Sequence, residues 1–249
     1  MNNFIVFLGP TCRHSTARAI LPADYRPPAA MGDLYRAAHE KPPALVLIDG
    51  VFGNKPSVMH QEILWCMAQG IPVLGAASMG ALRAAELDRF GMTGSGVIYN
   101  SYARGQLTDD DEVAIAHAPM ELDWQPVSMA MVDLRFALSN AIDEGTTTIE
   151  TARRVIALAK QMHFGARTVE QILDAALSQF GGEAENARLR EWLKKHPASL
   201  KHLDAVSLLE SLTRQAPLPP FKAQHSVCTV SWVRAMRELD GRALGGSHG

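Results

Sequence analysis

Three short apolar segments, each followed by a helix-like stretch, constrain the fold of this chain more than any other feature. The segments are residues 4–8, 44–48 and 71–74, and each is continuously apolar rather than alternating. Continuous apolar strands are typical of sheets that are covered on both faces. Strands that alternate with helices indicate a parallel sheet, because each crossover returns the chain to the same edge. The sequence therefore predicts an α/β fold whose N-terminal part is a largely parallel sheet with flanking helices.

Helical periodicity follows each of these strands. The expected helices cover residues 15–21, 57–69 and 79–90, and Ser57 is the expected N-cap of the second. The glycine-rich stretch that comes next is expected to contain one more strand, over residues 97–99.

The C-terminal part has a different pattern, with apolar residues at three- and four-residue spacing from about Ser128 onward. It predicts helices over residues 128–143, 148–163, 168–180, 183–196 and 203–212. We therefore expect an α/β core over residues 1–145 and a mainly helical region over residues 146–249. The proline-rich residues 217–220 are expected to form a linker within that region.

Composition narrows the class of protein further. The chain has 249 residues and a net charge of −2, so no global charge favours binding to nucleic acid or an anionic membrane. The N-terminus lacks a signal-peptide pattern, and no apolar stretch is long enough to span a membrane. Three widely spaced cysteines match no zinc motif, and of these only Cys12, which follows a strand, is in a position where a thiol can become reactive. These features predict a cytoplasmic protein.

Ser78 is the sharpest candidate for chemistry. It lies at the expected junction of a strand and a helix, in Ala-Ala-Ser-Met-Gly, where ligands of parallel sheets bind. Small residues around a serine at such a turn are similar to a nucleophile elbow, and the amides of Met79 and Gly80 could stabilise an oxyanion. The alternative is that Ser78 only caps the helix.

A nucleophilic serine needs a base, and the sequence offers several. His60 and His117 are candidates, although surface histidines are more common than catalytic ones. Lys55 lies in a turn, which favours exposure, and Lys160 lies among apolar residues of a helix, where a lysine usually extends to solvent.

Three further features have both a structural and a functional interpretation. Asp49 ends a strand and could organise a loop or contact a ligand, and Arg83 could pair with a glutamate. The acidic residues 109–112 lack calcium-loop spacing, so a solvated or capping cluster is favoured over a metal site.

Several motifs occur together in one order along the chain. They are Arg26-Pro-Pro-Ala29, Gly32-Asp-Leu34, Ile48-Asp-Gly-Val-Phe52, Pro56-Ser-Val-Met-His-Gln-Glu-Ile-Leu64, Gly75-Ala-Ala-Ser-Met-Gly-Ala-Leu-Arg-Ala-Ala-Glu-Leu87, Phe90-Gly-Met92 and Asp109-Asp-Asp-Glu-Val-Ala114 with His117. This series resembles the TfuA family, the partner proteins of YcaO enzymes in peptide backbone thioamidation. The resemblance covers residues 4–145 closely and continues more loosely to Thr168.

The resemblance implies a specific reaction. TfuA-like proteins are associated with hydrolysis of a thiocarboxylated ThiS-like sulfur carrier, which releases sulfide for the YcaO enzyme and its peptide or protein substrate. The implied site is a Ser–Lys pair that uses neither a metal nor a cofactor, and Ser78 matches the serine. Lys160 is the first choice for the lysine and Lys55 the second, with Asp49, His60 and Arg83 as possible supporting residues.

Two other functions remain open at this point. The protein could be a non-catalytic adaptor that improves binding of the peptide substrate by a YcaO enzyme. It could also be an unrelated Rossmann-like ligand-binding protein, which is disfavoured because Gly9-Pro-Thr-Cys12 lacks the G-x-G-x-x-G phosphate loop.

Overall fold

A five-stranded sheet, entirely parallel, forms the core of the N-terminal part in the computed structural model, which describes residues 3–53, 55–215, 232, 234 and 238. The strands are β1 (Ile5–Phe7), β2 (Asp24–Arg26), β3 (Leu45–Leu47), β4 (Val73–Ala76) and β5 (Thr93–Ser95). Their order is β2-β1-β3-β4-β5, so the chain changes direction across the sheet between β1 and β3. The predicted fold class is confirmed.

Ten α-helices accompany this sheet within the described residues. They are α1 (His14–Ile20), α2 (Asp33–Ala38), α3 (His60–Ala68), α4 (Met79–Leu87), α5 (Gly96–Ala103), α6 (Met131–Asp143), α7 (Ile149–Gln161), α8 (Val169–Phe180), α9 (Glu183–Lys195) and α10 (Leu200–Gln215). None of them is long and apolar enough to cross a membrane.

The continuous apolar character of the strands follows from burial on both faces. Ile5 and Phe7 point to a core formed with α2, α3 and α4, whereas Val6 and Leu8 point to a core formed with α1 and α10. Successive side chains of a strand point to opposite faces, so a sheet with helices on both sides needs apolar residues at every position.

Most of the C-terminal helices form their own cluster. Helices α6 to α9 pack around a separate apolar core, whereas α10 returns to the sheet and contributes Leu208, Leu209 and Leu212 to the core beneath β1 and β3. Helix α10 thus completes the N-terminal layer, although it lies beyond residue 145.

The predicted strand over residues 97–99 is wrong, because this stretch is the first turn of α5. Gly96, with a φ of 99°, turns the chain out of β5. The Asp204 carboxylate then accepts hydrogen bonds from the amides of Val97 and Ile98 at 2.9 and 2.8 Å. A cap supplied by α10 outweighs the β-propensity of Val97 and Ile98.

Two smaller expectations also need comment. Ser57 does not cap α3, since its hydroxyl donates to the Val51 carbonyl and the N-cap is Met59. The expected linker at 217–220 lies outside the described residues.

Candidate functional site

The candidate site is a cavity of about 280 Å³ at the carboxyl edge of the sheet. Segments that follow three different strands contribute to its lining: Pro10 after β1, Asp49 and Gly50 after β3, and Ser78 after β4. These segments meet at the point where the strand order reverses, which is the usual ligand position in open parallel sheets.

Ser78 follows a strained turn between β4 and α4. The Ser78 amide donates to the Ala76 carbonyl at 2.8 Å, which closes a three-residue turn, and Ala77 at its centre has a φ of 66°. A γ-turn with positive φ at a residue other than glycine is rare and costs about 1–3 kcal/mol. This turn directs Ser78 toward the cavity.

Glycine allows the start of α4 to lie directly against the sheet. A Cβ atom added at Gly80 would come within 1.8 Å of the Leu47 carbonyl oxygen, and one added at Gly75 within 2.1 Å of the Gly80 oxygen. The small residues of the Ser78 segment therefore serve close packing as well as the tight turn.

The Ser78 hydroxyl is not used as a helix cap. Ser78 occupies the N-cap position of α4, but its side chain makes no capping hydrogen bond. The residue is 3 % exposed and lines the cavity. No lysine or histidine nitrogen among the described residues is hydrogen-bonded to its oxygen, so a proton acceptor would have to act through water or after substrate binds.

The two amides expected to stabilise an oxyanion differ in availability. The Gly80 amide already donates to the Ile48 carbonyl at 3.1 Å, which ties α4 to β3. Met79 is the remaining amide of this pair at the start of α4.

Asp49 organises the loop after β1. Its carboxylate accepts from the amides of Gly9 and Thr11 at 2.9 and 3.0 Å, and from the Thr11 hydroxyl at 2.6 Å. Asp49 is 2 % exposed and lines the cavity, so it positions the Pro10 wall of the site.

Lys160, the lysine first expected to pair with Ser78, does not line this cavity. Its ammonium bonds to Asp111 and lies 3.0 Å from both Asp109 and Glu112. Burial alone would lower the pKa of Lys160, but the hydrogen bonds to these three carboxylates outweigh it and raise that pKa above its ordinary value. A lysine held in the charged form cannot accept a proton from a serine.

The acidic cluster around Lys160 is neutralised by basic side chains. Arg167 donates to Asp111 at 2.5 Å, and Arg135 donates to Glu112 at 3.1 Å. Carboxylates of Asp109, Asp111 and Glu112 are close enough to hold a metal ion, but the Lys160 ammonium contacts all three. The arrangement fits an ion-pair network better than a metal site.

His60 and Arg83 form a separate surface cluster. His60 lies 2.8 Å and Arg83 2.7 Å from the Glu86 carboxylate, and Arg83 also donates to the Val58 carbonyl. Burial raises the pKa of Glu86, but the hydrogen bonds from His60 and Arg83 outweigh it and lower that pKa. Neither side chain lines the Ser78 cavity, so the structure does not join them to the serine.

Two lysines do line the cavity with Ser78. Lys55 is exposed. Lys201, in the first turn of α10, is 1 % exposed, and its ammonium donates to the Val113 carbonyl at 2.9 Å. Sequence reasoning missed Lys201 because it lies 123 positions after Ser78 in an ordinary helical pattern. No local signal distinguishes it.

His117 lines the same cavity, and the structure adds a detail that the sequence could not supply. Its Nδ1 atom lies 2.8 Å from the Ala118 carbonyl oxygen. The ring is partly buried. Among the described residues, the cavity therefore brings Ser78 together with His117, Lys55 and Lys201.

Comparison with known proteins identifies one family. The family model described as TfuA-like protein matches residues 49–168, a range that includes Ser78 and His117 but neither Pro10 nor Lys201. No curated protein matches the chain significantly.

Proposed function

Because residues 49–168 form a TfuA-like domain, we propose that the protein hydrolyses the thiocarboxylated C-terminus of a ThiS-like sulfur carrier. The sulfide released would supply a YcaO-type enzyme that introduces a backbone thioamide into a peptide or protein. The proposal depends mainly on one observation: Ser78 follows a strained turn, and its hydroxyl is not used as a helix cap and lines a cavity at the carboxyl edge of the sheet.

The chemistry requires a nucleophile and a good leaving group. The Ser78 oxygen attacks the thioacid carbon, the carbon–sulfur bond breaks, and sulfide departs with the bonding electrons. The serine proton passes to a lysine amine, which gives it to the departing sulfide, and the product is an ester between the carrier and Ser78. Water then cleaves the ester, which restores Ser78 and leaves a carboxylate on the carrier. The Met79 amide at the start of α4 would stabilise the oxyanion of each step.

Within a Ser–Lys scheme, the cavity supports Lys201 as the partner of Ser78 and Lys55 as the alternative. Lys201 is held in the wall by the Val113 carbonyl, whereas Lys55 is exposed. Lys160 is engaged by three carboxylates.

Sulfide release from a thiocarboxylated ThiS-like carrier tests the proposal directly. We expect Ser78→Ala to lower the rate by about 10³-fold or more, as loss of a nucleophile does in serine hydrolases. Ser101→Ala, at a half-buried position of α5 that does not line the cavity, is the matched control and should retain the wild-type rate. A Ser78→Ala protein that releases sulfide normally would refute the proposal.

Lysine substitutions in the same assay assign the partner of the serine. Lys201→Met should remove most of the sulfide-releasing activity. Lys160→Met should lower that activity only indirectly, through the loss of the ion pairs that hold the acidic cluster. Should Lys55→Met rather than Lys201→Met be inactive, the exposed lysine is the partner.

A non-catalytic adaptor is the second candidate, and exposed apolar side chains favour it. Met120, Leu122 and Val127 are more than half exposed, in the loop that also contains the cavity residue Trp124. An adaptor would strengthen binding of the peptide to the YcaO enzyme equally well with Ser78→Ala. Peptide affinity measured with wild-type and Ser78→Ala protein distinguishes this role from catalysis.

A further inference from the structure

We infer that His117 is the base that activates water for hydrolysis of the ester on Ser78. This inference rests on the proposed function and concerns its second step. His117 lines the Ser78 cavity, and no hydrogen bond joins its ring to the serine hydroxyl, so the ring is placed to act on a water molecule in the cavity.

The hydrogen bond of the ring selects the useful tautomer. A carbonyl oxygen can only accept, so the contact of 2.8 Å between Nδ1 and the Ala118 oxygen requires a proton on Nδ1. A neutral His117 ring then has a lone pair on Nε2, as a general base needs.

The backbone around His117 holds the ring in place. His117 pairs with Pro126 in an antiparallel bridge, and the Ala118 amide donates to the Gln125 carbonyl at 2.8 Å. The carbonyl that accepts from the ring thus belongs to the same paired segment, and ring and acceptor are fixed together.

The other titratable groups of the cavity are less suited to this step. Both Asp49 oxygens accept hydrogen bonds from the Gly9 and Thr11 loop. Lys201 and Lys55 are the candidates for the first step, in which a lysine takes the serine proton. Among the residues that the structure describes, His117 is the histidine that lines this cavity, and its Nε2 lone pair is not committed to the Ala118 contact.

The step balances without any further reactant. A water proton moves to Nε2 of His117 while the water oxygen bonds to the acyl carbon. The tetrahedral intermediate collapses, the bond from carbon to the Ser78 oxygen breaks, and the serine oxygen takes the proton from Nε2. The carrier leaves as a carboxylic acid that ionises in water.

The experiment is a pre-steady-state assay of sulfide release and intact mass, with thiocarboxylated ThiS-like carrier in excess. We expect His117→Gln to release about one equivalent of sulfide per protein and then to stall. Its mass should rise by that of the acylated carrier. Turnover should fall by about 10²–10⁴-fold, the usual contribution of a general base. His39→Gln, at an exposed position of the same protein, should turn over normally.

Chemical rescue separates catalysis from structure. Imidazole added to His117→Ala should restore turnover and remove the adduct, which it would not do if the ring only supported the fold. The inference is overturned if His117→Gln turns over at the wild-type rate, or if it is folded but gives neither burst nor adduct. A Ser78→Ala protein that still releases sulfide would instead refute the proposed function itself.

Discussion

Ala77 stores backbone strain directly before the candidate nucleophile. A left-handed conformation at alanine persists only where the surroundings impose it. Here the Ser78 amide is bonded to Ala76, and the Gly80 amide is bonded to the Ile48 carbonyl. The position of Ser78 therefore depends on the backbone hydrogen bonds on either side of it.

Gly80 is the residue on which this turn depends most. We predict that Gly80→Ala lowers the free energy of unfolding by about 3 kcal/mol, because its Cβ would overlap the Leu47 carbonyl oxygen. Gly105→Ala is the control, because a Cβ atom at that position would meet open space. It should cost only about 1 kcal/mol, for placing alanine at a positive φ. Denaturant unfolding gives both values, and equal losses would contradict the close approach.

Cys12 is buried, and burial disfavours the thiol reactivity that its position after a strand suggested. Burial, reinforced by the nearby Asp49 carboxylate, raises the pKa of the Cys12 thiol to about 11. Burial also raises the pKa of Cys66. We predict that a Cys228→Ser variant shows no fast thiol reaction with a disulfide reagent under native conditions and two reactive thiols in concentrated denaturant. A rapidly reacting native thiol would contradict this burial.

At the level of elements, patterns of apolar residues predicted the buried strands and missed the elements that depend on polar residues. The strands β1, β3 and β4 lie where continuous apolar runs indicated. Strand β2, Asp24–Arg26, was missed because it is an edge strand with one buried residue. Residues 97–99 were misassigned because the Asp204 cap comes from a distant helix. Ser78 is predicted from its local turn chemistry, whereas the position of Lys201 in the cavity wall depends on how α10 packs.

The acidic segment at 109–112 is joined to the helical cluster by Arg167. This side chain is 2 % exposed and bonds to the Asp111 carboxylate. We predict that Asp111→Asn lowers stability by about 3 kcal/mol at neutral pH, because it leaves a buried guanidinium without its counter-charge. Asp174→Asn removes an exposed pair with Arg190 and should cost less than about 1 kcal/mol.

The pH dependence of this loss follows from the pKa of Asp111. Burial raises that pKa, but Lys160 and Arg167 outweigh burial and lower it below 3.8. The stabilisation by the Asp111 ion pair is therefore complete above the pKa that Asp111 has in the unfolded chain. It disappears as the pH falls through the pKa that Asp111 has in the folded protein. Wild-type and Asp111→Asn stabilities should converge in acid, and a constant difference at all pH values would contradict the ion pair.

For the whole molecule, α10 links the two cores. Leu209 packs under the sheet, while the Ser199 hydroxyl and the Lys201 amide bond to Asp133 of α6 at 3.2 and 3.1 Å. The sheet and the helical cluster should therefore unfold together, and their amides should lose protection from hydrogen exchange together.

We predict that Leu209→Ala destabilises the protein by about 3 kcal/mol, since it opens a cavity in a fully buried core. Hydrogen exchange should accelerate in β3 and in α8 alike. Leu203→Ala, at an exposed position of α10, should change neither the stability nor the hydrogen exchange of β3 and α8. Acceleration confined to β3 would show that the two cores unfold independently.

The position of Lys201 in α10 has a consequence for protein engineering. The family match spans residues 49–168, yet the cavity wall also draws on Pro10 and Lys201. A minimal fragment or a graft limited to the matched range would carry the serine and the histidine into a scaffold without the rest of their enclosure. Spatial completeness rather than continuity of sequence therefore sets the smallest transferable unit.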